Sequence, residues 1–257
     1  MSTPLWQHPH MASLEDGALR PGGLALTRKV YDRLAVSPTM HILDAGCGTG
    51  ATGEFLQQQY GVRVTGLDLS PQNTALTTAR HIPAVQGTIE HLPFSDASFH
   101  MVNCDCVLSL CTSIETAIAE FSRVVRPDGM LVLSDLYRRA AYRTQPCGTN
   151  SSPAATGNTT QKIHTAASCH FHTNTHTGGC SSAPVDVQRL TAALAATGFA
   201  HIDSIDCTKE LKELTAKLIF SGIAPCCPAA HAEQASNATP QYDKHIGYIH
   251  LTAVKKE

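Results

Sequence analysis

The stretch ILDAGCGTG, residues 42–50, decides the fold. An apolar run delivers Asp44 into a glycine-rich turn, and helix-forming residues follow, which is the layout of a nucleotide-binding strand, loop and helix. Gly46, Gly48 and Gly50 permit positive φ and remove the side chains that would keep a ligand off the backbone amides. A dinucleotide fingerprint spaces its glycines as Gly-x-Gly-x-x-Gly. Here they alternate, so the spacing requires no pyrophosphate cradle. A second apolar run, VTGLDLS at 64–70, ends in Asp68, the place of the acidic residue that accepts hydrogen bonds from ribose hydroxyls in doubly wound folds. Two strand ends therefore face one nucleoside.

Outward from this stretch the pattern alternates. A short helix at 24–34 precedes strand 41–44, helix 50–60, strand 62–68, helix 71–80, strands 82–86 and 99–104, helix 114–125 and strand 130–135. Ser70 is a good N-cap and Pro71 suits the first helical turn. Alternating strands and helices imply an α/β fold with a parallel sheet and right-handed crossovers. Between 138 and 182 the composition shifts to Thr, Ser, Ala, Asn, Gly and His, too poor in large apolar residues to order itself. Regularity returns with helix 185–197, stopped by Gly198, strand 200–205, and an amphipathic helix 209–220 bearing Leu211, Leu214 and Leu218. A weak segment at 222–242 precedes a last strand, 246–254.

The run from Ala45 through GTIEHLPFSDASF (87–99) to RVVRPDGMLVLSDLY (123–137) resembles the class I S-adenosylmethionine-dependent methyltransferases of the type 11 kind. The resemblance implies one catalytic domain over 1–257, a doubly wound, Rossmann-like sheet of seven strands, mostly parallel, with the last strand antiparallel. It implies S-adenosylmethionine as cofactor, with the backbone of Gly46 and its neighbours at the methionyl part, Asp68 and Leu69 around the ribose, Thr88 and Ile89 near adenine, and Cys104 at the end of the fourth strand. Thr88 stands where many members carry an acidic residue. Asp44 suits two roles equally, capping its loop or meeting the ligand. LRPGGLALT, 19–27, resembles the opening segment of a group of bacterial methyltransferases. Arg20 in it has the fork that suits the cofactor carboxylate, an ordinary solvated arginine being the other reading.

Composition narrows the partners. The 257 residues carry 19 Lys and Arg against 21 Asp and Glu, a net charge of −2, and the basic residues are scattered, unlike the footprint of a nucleic-acid binder. No charged and apolar leader and no run near the roughly 20 apolar residues of a membrane span is visible. A cytoplasmic protein acting on a small molecule is expected, with its ten cysteines mostly thiols and its oligomeric state open.

For the acceptor, NCDCVLSLC at 103–111 lacks the Asn/Asp-Pro-Pro-aromatic clamp of many adenine and amide N-methyltransferases. It resembles instead the arsenite methyltransferases, with Cys106 after the fourth strand, SDLY (134–137) at an intervening turn, and Cys180 in a Gly-Gly-Cys segment before helix 185–197. That resemblance implies a trivalent metalloid held by the two soft thiolates. Plain packing is the other reading of Cys106, and an incidental thiol that of Cys180. Cys169, His170, His172, His176 and Cys180 have ligand chemistry but sit in a polar tract best read as solvated, so no metal site is assigned. Cys226-Cys227 could add a third soft ligand. The expectation is a methyltransferase for a small molecule, with arsenite or a related metalloid as the leading acceptor and residues 138–182 as a lid or disordered insertion. A methyltransferase for a carbon, nitrogen or oxygen centre, or a non-catalytic metal- or metalloid-binding protein on the same fold, is the alternative.

Overall fold

A computed structural model describes residues 17–18, 20–139, 183–220 and 245–256 of the chain. The elements run α1 (Gly23–Tyr31), β1 (His41–Ala45), α2 (Ala51–Tyr60), β2 (Arg63–Asp68), α3 (Pro71–Ala79), β3 (Ala84–Gln86), β4 (Phe99–Asp105), a 3-10 turn (Leu108–Leu110), α4 (Ile114–Val124), β5 (Val125–Arg138), α5 (Val187–Ala196), β6 (Phe199–Asp206), α6 (Thr208–Phe220) and β7 (Ile246–Lys255). The strands form one sheet in the order β3-β2-β1-β4-β5-β7-β6. β1 pairs in parallel with β2 and β4, β2 with β3, and β4 with β5, whereas β7 lies antiparallel between β5 and β6. The doubly wound arrangement and the antiparallel last strand are as expected.

Local chemistry fixes the helix ends. Ser70 accepts a hydrogen bond from the amide of Asn73 with Pro71 behind it, Ser113 accepts from Thr116, and Asp186 accepts from the amides of Gln188 and Arg189. Most ends lie within one or two residues of expectation, and several differ. Helix α1 stops at Tyr31, short of 34, and β3 begins at Ala84, two residues late. The Pro127-Asp128-Gly129 turn is absorbed into a β5 that starts at Val125; there the register with β4 jumps from Phe99↔Val125 to Met101↔Met130, with Asp128 at φ 59°. SDLY, expected at a turn, lies within β5, because residues 130–138 all find partners on β7.

Neighbouring strand residues point to opposite faces, so the sheet carries two cores. Leu43, Val102 and Leu131 pack with Phe121 and Ile118 of α4 and with Leu190 and Leu194 of α5. Ile42, Met101 and Val132 pack with Leu26, Val30 and Tyr31 of α1, Leu56 of α2 and Leu211 of α6. β1 feeds β2 on one side and borders β4 on the other, so the strand order reverses there and a crevice opens beyond the carboxyl ends of β1 and β4.

Residues 140–182 and 221–244, which hold most of the expected insertion at 138–182 and all of the segment at 222–242, lie outside the described residues. With them go Cys169, His170, His172, His176, Cys180, Cys226 and Cys227. The described chain leaves and rejoins at one place, the amide of Arg139 donating to the carbonyl of His245 at 2.9 Å.

Phe121 is fully buried between α4 and the sheet. Phe121→Ala should lower the unfolding free energy by about 3–5 kcal/mol, read from urea denaturation. A loss under about 1 kcal/mol would mean that this face of the sheet is not packed as described.

Candidate functional site

At the carboxyl edge of β1, β2 and β4 lies a cavity of about 660 Å³. Its first wall is the glycine turn. The amides of Gly46 and Cys47 donate to the carbonyl of Leu67 at 2.7 and 2.9 Å, drawing the turn onto β2. Gly46 has φ +81°, and a Cβ there would stand 2.2 Å from Val107 Cγ2. Gly48, at φ +53°, has open space where its Cβ would be, so its backbone is bare toward the cavity that it lines. Its amide donates to Asp68 Oδ2 at 2.9 Å, while Asp68 Oδ1 accepts from the amide of Ser70 at 2.9 Å and from Asn73 Nδ2 at 3.1 Å. Asp68 is thus braced by the turn on one side and by the start of α3 on the other. Leu69, Thr88 and Ile89 complete this end, Leu69 being 72% exposed at the rim.

The floor is polar and dry. Asp44, 3% exposed, accepts from Asn103 Nδ2 at 3.0 Å through Oδ1, and its Oδ2 is buried without a hydrogen-bond partner. Burial raises its carboxyl from 3.8 to about 6. Arg20 is buried rather than solvated. Its guanidinium donates to Thr52 Oγ1 at 2.8 Å and to Thr27 Oγ1, and stands 3.4 Å from Asp105 Oδ2. Burial works to lower the pKa of Arg20, but Asp105 and other acidic neighbours raise it overall, so the charge is retained. Tyr31, donating to Asn103 Oδ1 at 3.1 Å, ties α1 into the same network.

The second wall comes from the ends of β4 and β5, the 3-10 turn and α6. Cys106 lines it at φ +57°. The thiol lies 3.3 Å from the hydroxyl of Tyr248, which donates to Ser134 Oγ at 2.7 Å, and Ser134 in turn donates to Asp105 Oδ1. A carboxylate only accepts, so the chain has one direction and Cys106 supplies its proton to the Tyr248 oxygen. Burial first, then Asp135, push the Cys106 thiol well above its usual range. Asp135, 1% exposed, accepts from the amides of Ser109 at 3.0 Å and Leu136 at 2.7 Å, and burial lifts its carboxyl to about 6. Leu110, Leu136, Leu211, Leu214 and Leu218 make the remainder apolar.

The cavity therefore gathers Arg20, Asp44, Gly46, Gly48, Asp68, Leu69, Thr88, Ile89 and Cys106. Two expected residues are elsewhere. Cys104 is 1% exposed and turned into the core; Asp105, next along β4, faces the other way, and Cys106, just past the strand at φ +57°, departs from the alternation and reaches the cavity. Gly50 caps α2 at φ +82°, where a Cβ would press on Thr77 at 3.0 Å; it serves helix packing, not the cavity wall. Cys180 lies outside the described residues. Among those residues no group of three or more His, Cys, Asp or Glu is arranged to hold a metal ion. Sequence reasoning missed Glu90, Asp105 and Asp135 as lining residues. Asp105 and Asp135 carry the signal that marked Asp44 and Asp68, an acidic residue at the end of an apolar run.

Asp44 gives a measurable pH dependence. Its folded pKa, about 6, exceeds the ordinary 3.8, so the fold holds this proton more tightly than the unfolded chain does. Its contribution is small up to about pH 4, becomes increasingly destabilising between 3.8 and about 6, and stays constant above that. Asp44→Asn should leave ligand-free stability unchanged at pH 4 and raise it above pH 7 by about 3 kcal/mol at most. Denaturation profiles that stay parallel across this range would show an Asp44 that ionises normally.

Residues 43–133 match the family described as Methyltransferase domain. An uncharacterized methyltransferase of Bacillus subtilis, YodH, is 42% identical over 118 residues, 44% of this chain and 50% of that protein. A malonyl-[acyl-carrier protein] O-methyltransferase of Serratia marcescens is 38% identical over 120 residues, 44% of this chain and 46% of that one. The chain thus spans about half the length of the curated relatives it matches. Among solved structures, a geranyl diphosphate methyltransferase in complex with SAM superposes with a TM-score of 0.65 at 16% identity, covering 98% of this chain and 94% of that one. The [4+2]-cyclase SpnF gives 0.64 at 19% identity, over 90% and 81%. Among the described residues no helix is long and apolar enough to cross a membrane. Residues 43–133 thus resemble a methyltransferase domain, and the seven-stranded sheet that extends them has the fold of these solved structures.

Proposed function

We propose that the chain is an S-adenosylmethionine-dependent methyltransferase acting on a small molecule. The observation that carries this reading is one cavity that combines a side-chain-free turn at Gly48, a braced carboxylate at Asp68 and the partnerless Asp44 Oδ2. These match the three parts of the cofactor: a backbone without a side chain that the methionyl portion can approach closely, a carboxylate for ribose hydroxyls, and a buried negative charge for the ammonium. The size also agrees, since small-molecule sites run from about 300 to 1,000 Å³. Once bound, the cofactor supplies a methyl group on a sulfonium, an electrophile that asks mainly for placement of its acceptor.

The chain's own residues would divide the work. Asp68 accepts from the ribose hydroxyls, held in orientation by Gly48, Ser70 and Asn73. Leu69, Thr88 and Ile89 offer the mixed surface suited to adenine. Arg20 places positive charge at the methionyl end while staying tied to Thr27, Thr52 and Asp105, so it orients a carboxylate without being free to swing. The leucines of α6 exclude water from the acceptor side.

The metalloid reading needs Cys106 as a thiolate beside Cys180. Cys106 instead keeps its proton within the Tyr248, Ser134 and Asp105 chain. A carbon, nitrogen or oxygen centre on a small metabolite is therefore favoured over arsenite. The described cysteines, Cys47, Cys104, Cys106, Cys111 and Cys207, are all free thiols, in keeping with a cytoplasmic setting. The net charge of −2 argues against a nucleic-acid substrate.

Calorimetric titration with S-adenosylmethionine is expected to give saturable 1:1 binding. Asp68→Asn should weaken it by about 10- to 100-fold, the worth of charge-assisted hydrogen bonds, and lower the melting temperature of the ligand-free protein by about 2–4 °C, because one of the two oxygens that hold Gly48, Ser70 and Asn73 is lost. No uptake, or equal affinity in the variant, would overturn the reading. Binding without formation of S-adenosylhomocysteine across an acceptor panel would favour a non-catalytic binding protein.

A further inference from the structure

The charges around the cavity do not balance. Asp44 and Asp135 are almost wholly buried, and Asp105 is nearly so. Arg20 is the only lysine or arginine among the described lining residues, and its ion pair is with Asp105. Two carboxylates remain. The open oxygen of Asp44 suits the amino group of the cofactor, as argued above. Asp135 has no such explanation: its oxygens accept from the amides of Ser109 and Leu136, so its charge is met by peptide dipoles and not by a cation of the cavity wall.

A carboxylate in such a place loses hydration without recovering it from an opposite charge. That burial raises its carboxyl to about 6 records the same imbalance. What surrounds it sets the ligand's body. Leu110 and Leu136 flank the Asp135 segment, and Leu211, Leu214 and Leu218 of α6 face the same cavity. An anionic acceptor would meet Asp68 and Glu90 as well as the three buried carboxylates, with one committed guanidinium to offset them.

We infer that the acceptor is a small apolar amine, captured as its ammonium at Asp135 with its hydrocarbon body against the leucines of α6; it would cede one proton to the Asp135 carboxylate, freeing the nitrogen lone pair that takes the methyl group while the sulfonium becomes a neutral thioether. This inference rests on the methyltransferase reading of the cavity. Asp135 supplies the charge and the hydrogen-bond acceptors that fix the nitrogen, the neighbouring amides keep the carboxylate from turning away, and the leucines select against small hydrophilic amines.

The test uses the full chain saturated with S-adenosylhomocysteine, so that no turnover occurs, and titrates it in a calorimeter with hexylamine, hexan-1-ol and hexanoate. Hexylamine is expected to bind at least about 10-fold more tightly than either analogue. Asp135→Asn should abolish that preference while leaving the affinity for S-adenosylhomocysteine within about twofold. Equal binding of the alcohol or the carboxylate to the unmodified protein would overturn the inference, and this comparison stands even if the variant does not fold. Persistence of the amine preference in a folded Asp135→Asn protein would overturn it too. Failure of S-adenosylhomocysteine to bind at all would instead strike at the methyltransferase reading, which separates the two.

Discussion

The carboxylate of Asp68 is the joint on which the site turns. One oxygen takes the amide of Gly48 and the other takes Ser70 and Asn73, so a single side chain at the end of β2 fixes both the glycine turn after β1 and the first turn of α3. The turn cannot relax away from it, because Gly46 has no room for a side chain beside Val107 and its amide is already held by Leu67. A backbone preorganised this way meets a ligand without first losing conformational entropy. The cofactor half of the cavity is in this sense built before anything enters it.

The opposite half is held by a different kind of force. Arg20, Asp44, Asn103, Asp105, Ser134, Cys106, Tyr31 and Tyr248 form a nearly closed network of buried polar groups whose open position is Asp44 Oδ2. Such networks contribute little net stability and strongly penalise a missing member. Their value here is orientation. Cys106, in a left-handed conformation next to that network, is held as a thiol whose proton points inward. A cysteine placed this way contributes to the wall of the cavity.

Much of this was legible from residues 42–50 and 64–70, because both signals are local: an apolar run, an acidic terminus and glycines whose spacing fixes a turn. Helix caps at Ser70 and the stop at Gly198 were legible for the same reason. The failures are of another kind. Cys104 is placed at the cofactor site by resemblance, as the end of the fourth strand, yet the face on which a strand residue lies depends on a register set by its neighbours, here β1 and β5. Arg20 reads from the sequence either as a partner for the cofactor carboxylate or as a solvated side chain, and only the docking of α1, which buries it against Thr52 and Asp105, decides against solvation. The three leucines of α6 announce an apolar face, but the sequence does not say that part of that face closes a cavity.

The placement of β7 has a consequence for the order in which the molecule becomes competent. Tyr248 completes the floor beside Cys106 from a strand 142 residues further along the chain, and that strand must thread between β5 and β6 to reach it. On a ribosome, the glycine turn and its parallel neighbours would emerge and pair long before β7 is made. Non-local antiparallel closure of this kind is slow relative to local helix and turn formation. A nascent chain would therefore carry a finished glycine turn against an unfinished opposite wall, and the cavity is complete only once β7 locks home.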